Sequence, residues 1–192
     1  MEDLKKLGED LAKNMDLILT ENQQLAKKID VTELITLVDY IQKAPRIFLV
    51  ATGRSGFALR GVAMRLMHLG LTVYFVGDTT TPAITEGDLL IAASGSGTTA
   101  SIVKAAEKSI SVKANVFAIT TDSQSALAQL ANAKVIVPAQ GKQDFEGGKS
   151  QQYAGSLFEQ FLLLVMDAVF QSLWKIDGSV AEKLWARHAN LE

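Results

Sequence analysis

The sequence predicts a three-layer, doubly wound α/β fold on a five-stranded parallel sheet, with long helices ahead of it. Three observations predict it. Short unbroken apolar runs of strand length recur between helix-length amphipathic stretches, the pattern of βαβ units whose strands are buried on both faces. Two of these runs end in glycine–hydroxyl turns that open helices. The 192 residues, 48% hydrophobic and 21% charged, suffice for one substantial core. One domain is expected, with residues 1–43 a helical segment and 46–192 the α/β core and carboxyl-terminal helices.

Leu4, Leu7, Leu11, Met15, Ile18, Leu25 and Ile29 fall three and four apart, with Asn22 filling the gap, which predicts a long amphipathic helix. Its narrow stripe fits a seam on a helix of a second subunit, or packing on its own domain. Asp30 and Glu33 form a capping-box pattern opening a second helix to about Ile41, which Pro45 terminates. Residues 46–51 read as the first strand, followed by the turn Thr52-Gly53-Arg54-Ser55-Gly56 and a helix reaching Leu69. A strand over 71–76 follows, then a polar turn whose Thr79, Thr80 and Thr81 are expected to border the same crevice. The central strand runs from Asp88 to Ala93, and its helix extends to about Lys108. Strands over 115–120 and 134–137 flank a short helix over 123–131. Residues 140–152 are polar, with three glycines and no period, and read as a loop. Phe158 to Trp174 is apolar on most faces and is expected to be a buried helix; a last helix from about Ser179 carries His188 in its final turn.

The chemistry concentrates at the strand ends. Ser94-Gly95-Ser96-Gly97-Thr98-Thr99 places four hydroxyls in six residues where a helix begins, with glycines that bring main-chain N–H groups close to an anion. The plainer reading is that these hydroxyls only cap the helix. Gly53-Arg54-Ser55-Gly56 repeats the pattern after the first strand, so both turns can converge on one crevice. Arg54 would clamp a phosphate or a sugar hydroxyl there, or be a solvated loop charge. Moving a proton between adjacent carbons through an enediol needs a base, for which Glu159 is the candidate. The same residue also completes a capping-box pattern with Ser156, and both readings stand. His188, one turn beyond Trp185, is a candidate acid or a charge complementing a helix end, whereas His68 lies among apolar residues and reads as core.

Composition narrows the partners. A formal charge of −2 gives no basic stripe for nucleic acid. There is no cysteine, and the two histidines lie far apart without metal-ligand spacing, so neither a disulfide nor a metal site is expected. The charged start and the short apolar runs point to no signal peptide and no membrane span, hence a cytoplasmic protein without a membrane partner.

Taken together, Gly53-Arg54-Ser55-Gly56, residues 63–70 (Ala-Met-Arg-Leu-Met-His-Leu-Gly), Ser94-Gly95-Ser96-Gly97, residues 155–160 (Gly-Ser-Leu-Phe-Glu-Gln) and the ending His188-Ala189-Asn190-Leu191-Glu192 resemble the sugar isomerase (SIS) domain family. Within it, the 63–70 and terminal segments are most similar to the 6-phospho-3-hexuloisomerase family. The resemblance implies a flavodoxin-like fold and interconversion of D-arabino-hex-3-ulose 6-phosphate and fructose 6-phosphate, without redox cofactor or metal. It implies that Ser55, Ser94, Ser96 and Thr99 hold the phosphate, that Glu159 is the base and that His188 assists as acid or in ring handling. Gly53, Arg54, Gly95 and Thr98 complete the expected binding set. A homotetramer with sites near subunit boundaries is also implied. Two features depart from the family pattern: Tyr153-Ala154 where Pro-Met is common, and Thr98 where Glu is common. The alternatives are another phosphosugar isomerase, or a sugar-phosphate-binding module without catalysis.

Overall fold

The computed structural model describes residues 2–141 and 150–191. Helices α1 (Glu2–Ala26) and α2 (Val31–Lys43) lead into β1 (Ile47–Val50), α3 (Gly53–Leu69), β2 (Val73–Phe75), β3 (Leu89–Ala93) and α4 (Ala100–Ser111). They are followed by β4 (Asn115–Thr120), α5 (Ala126–Leu130), β5 (Ala133–Ile136), α6 (Ser156–Asp177) and α7 (Ala181–Trp185). All strands are parallel, in the order β2-β1-β3-β4-β5. The three-layer α/β arrangement expected from the sequence is therefore present.

Alternation along the strands builds two cores. In register, Leu49, Ile91 and Phe117 face α2, α3 and α6, while Phe48, Leu90 and Val116 face Ile102 and Ala106 of α4 and Leu127 of α5. The central strands are buried on both faces, which is why they carry no polar residue between Leu89 and Ala93. At their amino ends Arg46 joins them, its Nε donating to Asp88 Oδ1 at 2.9 Å, while Thr85 N donates to Asp88 Oδ2 at 2.7 Å.

Topology then locates a crevice. From β1 the chain crosses to β2 on one side, and from β3 to β4 on the other. Right-handed crossovers therefore send α3 and α4 to opposite faces of the sheet and part them at the carboxyl ends of β1 and β3.

Helix α6 is long and apolar enough to cross a membrane, yet half of its 22 residues are buried beside α1, α2 and α3, which makes it a core helix. Arg54 at the start of α3 contacts Ser156 and Glu159 at the start of α6, and further along Arg65 lies over the Phe170 ring. The two helices thus run in the same direction, and both begin at the crevice end of the sheet. On α1, Leu25 is buried, but Leu4, Leu7, Leu11 and Met15 are each more than half exposed, so most of its stripe is not packed on its own chain.

Several local expectations change. Asp30 does cap α2, accepting from Thr32 N at 2.8 Å, but Glu33 does not complete a box; it accepts instead from Ile136 N at 2.7 Å and satisfies the β5 backbone. Thr81 donates back to the Phe75 carbonyl and lines a separate apolar cavity with Phe48, not the crevice. Helix α7 ends at Trp185, so His188 lies beyond the helix and not in its last turn. Of the polar loop over 140–152, residues 142–149 lie outside the described residues.

Candidate functional site

The crevice is framed by three helix N-termini, those of α3, α4 and α6. Their N-cap residues are Thr52, Thr99 and Gly155, and none of the three supplies a side-chain capping bond. By contrast α2 and α5 are capped by Asp30 and Ser125. The plainer reading of the Ser94–Thr99 hydroxyls as caps is therefore not what forms. Uncapped N–H groups at helix N-termini favour an anion, and residues at the starts of α3 and α4 line the same cleft.

Thr52, Ser55, Ser94, Gly95, Ser96 and Thr99 line a cleft of about 50 Å³ between the β1 and β3 ends. Ser94 and Thr99 are in hydroxyl contact at 3.0 Å, and Gly97 N donates to Ser94 Oγ at 3.1 Å. The turn is pinned from below: the Gly95 carbonyl accepts from Thr121 N at 3.1 Å, Thr121 Oγ1 at 2.8 Å and Thr120 Oγ1 at 3.1 Å. Its backbone is thus fixed by β4 before any ligand arrives, the preorganisation an oxyanion site needs.

Of the residues expected at this site, Ser55, Ser94, Gly95, Ser96 and Thr99 line the cleft. Gly53, Arg54 and Thr98 do not. Thr98 is exposed and its hydroxyl donates to Ser96 Oγ at 3.1 Å. Arg54 reaches toward α6, where Nη1 lies 3.1 Å from Glu159 Oε2 and 3.2 Å from Ser156 Oγ. The Arg54 side chain is 62% exposed and the Glu159 carboxylate 6%, so the pair orients a buried carboxylate at the crevice rim and adds little to stability. With Gly155 as the N-cap, Ser156 is the first helical residue, and the capping box Ser156–Glu159 does not form. Two residues inside the quoted segments join the site unexpectedly: Thr52 lines the cleft, and Ser156 accepts from Arg54.

His188 is elsewhere. Its ring stacks on His68, with centroids 3.8 Å apart, and on Trp185 at 4.6 Å, while Arg187 Nη1 donates to the His68 carbonyl at 2.9 Å. It borders a cavity of about 370 Å³ lined also by Arg65, Phe170, Trp174 and Trp185. Arg54 and His68 stand fourteen positions apart on α3, about 21 Å along the helix, so one chain does not bring Glu159 and His188 together. The two histidines, expected to be apart, are in fact in contact. Even so, among the described residues no group of three or more His, Cys, Asp or Glu side chains is arranged to hold a metal ion.

Burial, then His188 and Arg65, depress the pKa of His68 below the ordinary histidine value. A group whose folded pKa is depressed stabilises the fold above its unfolded pKa, near 6.5, and loses that contribution as the pH falls toward the folded value. The melting temperature is expected to drop between about pH 7 and pH 5, and a His68→Phe protein to show a flatter drop. Scanning calorimetry across that window measures both slopes.

The SIS domain family matches residues 40–163. The chain is 51% identical over 189 residues to a 3-hexulose-6-phosphate isomerase of Mycobacterium gastri, covering 98% of this chain and 95% of the relative. It is 40% identical over 176 residues to one of Bacillus subtilis, covering 91% and 95%. Among solved structures it superposes, with a TM-score of 0.79 and 32% identity over 94% of this chain and 99% of the other, on a Methanococcus jannaschii protein for which the same isomerase function was inferred.

Proposed function

Because this chain belongs to the SIS domain family, we propose that it is a phosphosugar isomerase interconverting D-arabino-hex-3-ulose 6-phosphate and fructose 6-phosphate, the isomerisation step of ribulose monophosphate formaldehyde fixation. The observation that carries the site assignment is the cleft between the uncapped N-termini of α3 and α4 at the Ser94–Thr99 turn, with the buried carboxylate of Glu159 held against Arg54 at the start of α3. In this reading Ser55, Ser94, Ser96 and Thr99 hold the phosphate, with the α3 and α4 amides beneath it. Gly53 and Gly95 let the two turns approach it, and Thr98 steadies Ser96 from outside.

Glu159 takes the proton from C2 of the 3-ulose as the C3 carbonyl becomes the enediolate oxygen; the O2 hydroxyl proton passes to O3, O2 becomes the new carbonyl, and Glu159 returns its proton to C3. Arg54 places positive charge beside the oxygens where negative charge develops. His188 serves as acid at the site of a neighbouring subunit, a reading that its distance from Glu159 along α3 supports. The exposed apolar stripe of α1 supports an oligomer, with a homotetramer the proposed state. The protein is read as a cytoplasmic enzyme working without metal or redox cofactor.

Purified protein given enzymatically generated hex-3-ulose 6-phosphate is expected to release fructose 6-phosphate, followed through a coupled dehydrogenase. No product, with sugar phosphates still raising the melting temperature, would replace this reading by another isomerase substrate or a binding module.

A further inference from the structure

Residues 150–155 enter α6 without helix or strand of their own, through Gly155 at φ 81°. Backbone of this kind takes its position from side-chain bonds. One carboxylate accepts three of them, beside Ser150 N to Gln140 Oε1 and Gln152 N to Ser150 Oγ, each at 3.0 Å. Glu21 of α1 accepts from Gln151 N at 2.7 Å through Oε1, and from Ser150 Oγ at 2.7 Å and Gln152 Nε2 at 2.9 Å through Oε2. The chain of bonds continues into α6: Gln160 Nε2 donates to Gln152 Oε1 at 2.8 Å, and Asn22 Nδ2 donates to Gln160 Oε1 at 2.8 Å. Two adjacent residues of α1 therefore grip both the segment leading into α6 and the residue next to Glu159.

We propose that Glu21 is a positioning residue for Glu159, acting through residues 150–152 and Gln160 to fix the first turn of α6 against the crevice. The inference rests on the reading of Glu159 as the base. Bonds to an ionised acceptor are the strong ones, and three donors converge on this carboxylate. Burial alone would raise its pKa, but the bonds from Gln151, Ser150 and Gln152 outweigh that and hold it below the usual value, so it stays charged at neutral pH.

The phosphate cradle stands on β1, β3, α3 and α4, and none of its bonds passes through Glu21. Loosening Glu21 thus shifts the base relative to C2 while leaving the anchor in place, which lowers kcat and spares KM. A merely structural staple between α1 and α6 predicts otherwise: a lower melting temperature, with kcat and KM changing together or not at all.

The experiment compares Glu21→Gln, the double variant Glu21→Gln/Gln152→Glu and Glu159→Gln in the coupled assay, with amide hydrogen exchange at Gln151. Glu21→Gln is expected to lower kcat about tenfold or more with KM within about twofold, and to speed exchange at Gln151. The double variant returns a carboxylate to the same contact from the other side, where it still accepts from Gln160, and is expected to recover most of kcat. Wild-type kcat in Glu21→Gln beside an inactive Glu159→Gln overturns the positioning role. So does a loss that the double variant fails to recover. Turnover by Glu159→Gln overturns instead the assignment of the base, so the two failures are distinguishable.

Discussion

Replacing Glu159 by Gln is expected to cut turnover of hex-3-ulose 6-phosphate by about a thousandfold or more while sugar-phosphate affinity changes by no more than a few-fold. The amide keeps the size and shape of the carboxylate, so the packing of α6 is retained, but it cannot take the C2 proton. The cleft hydroxyls proposed to hold the phosphate lie on other elements and are untouched. Removing the charge beside Arg54 costs little stability, because the guanidinium is largely in water. Coupled turnover and the melting-temperature rise with fructose 6-phosphate measure the two halves of the expectation. Near-wild-type turnover would mean that another group moves the proton and that Glu159 serves only to orient Arg54.

The Gly97→Ala protein is expected to be destabilised by about 2–4 kcal/mol, combining left-handed backbone strain with a lost helix cap. Gly97 sits at φ 62°, and a Cβ there would fall 2.0 Å from Ser125 Oγ and 3.0 Å from Thr120 Oγ1. Ser125 has no room to give without cost, since its hydroxyl caps α5 by accepting from Ala128 N. Thr120 in turn holds the Gly95 carbonyl, so the strain enters the Ser94–Thr99 turn itself. For a chain of this size each kcal/mol shifts the melting temperature by about 2–4 °C, so a fall of roughly 5–15 °C is expected, with weaker sugar-phosphate binding. Gly53→Ala is the control. It shares the positive φ, 58°, but a Cβ meets nothing within 4 Å, so the backbone cost of about 1 kcal/mol stands alone. Equal melting temperatures for the two variants would show that the Ser125 contact yields freely.

The legibility of the molecule differs by element. Strands β1, β3 and β4 are readable because a strand buried on both faces must be apolar throughout, and the turns after β1 and β3 are readable because glycines and hydroxyls cluster where a helix opens. The cleft between the β1 and β3 ends follows from those two facts and the crossover rule. Short-range pairings were less secure. Asp30–Glu33 and Ser156–Glu159 carry the same capping-box spacing, yet Glu33 goes to Ile136 N, and Glu159 stands beside Arg54 with glycine as the cap. A spacing states which bond is within reach, and the partner that arrives from another element decides which bond is made.

The sequence by itself determined the layer architecture, the doubly wound sheet, the glycine–hydroxyl turns and, through its motifs, the family. Those properties reside in local periodicity, turn chemistry and short segments, all of which are written along the chain. Only the tertiary structure decided that α3 and α6 start together and run in parallel, so that Arg54 meets Glu159. It also decided that His68 and His188 stack at the far end of α3, and that Glu21 holds the entry to α6. Each of these joins residues far apart in sequence through side chains whose direction depends on how whole helices dock, and no local pattern encodes a docking angle.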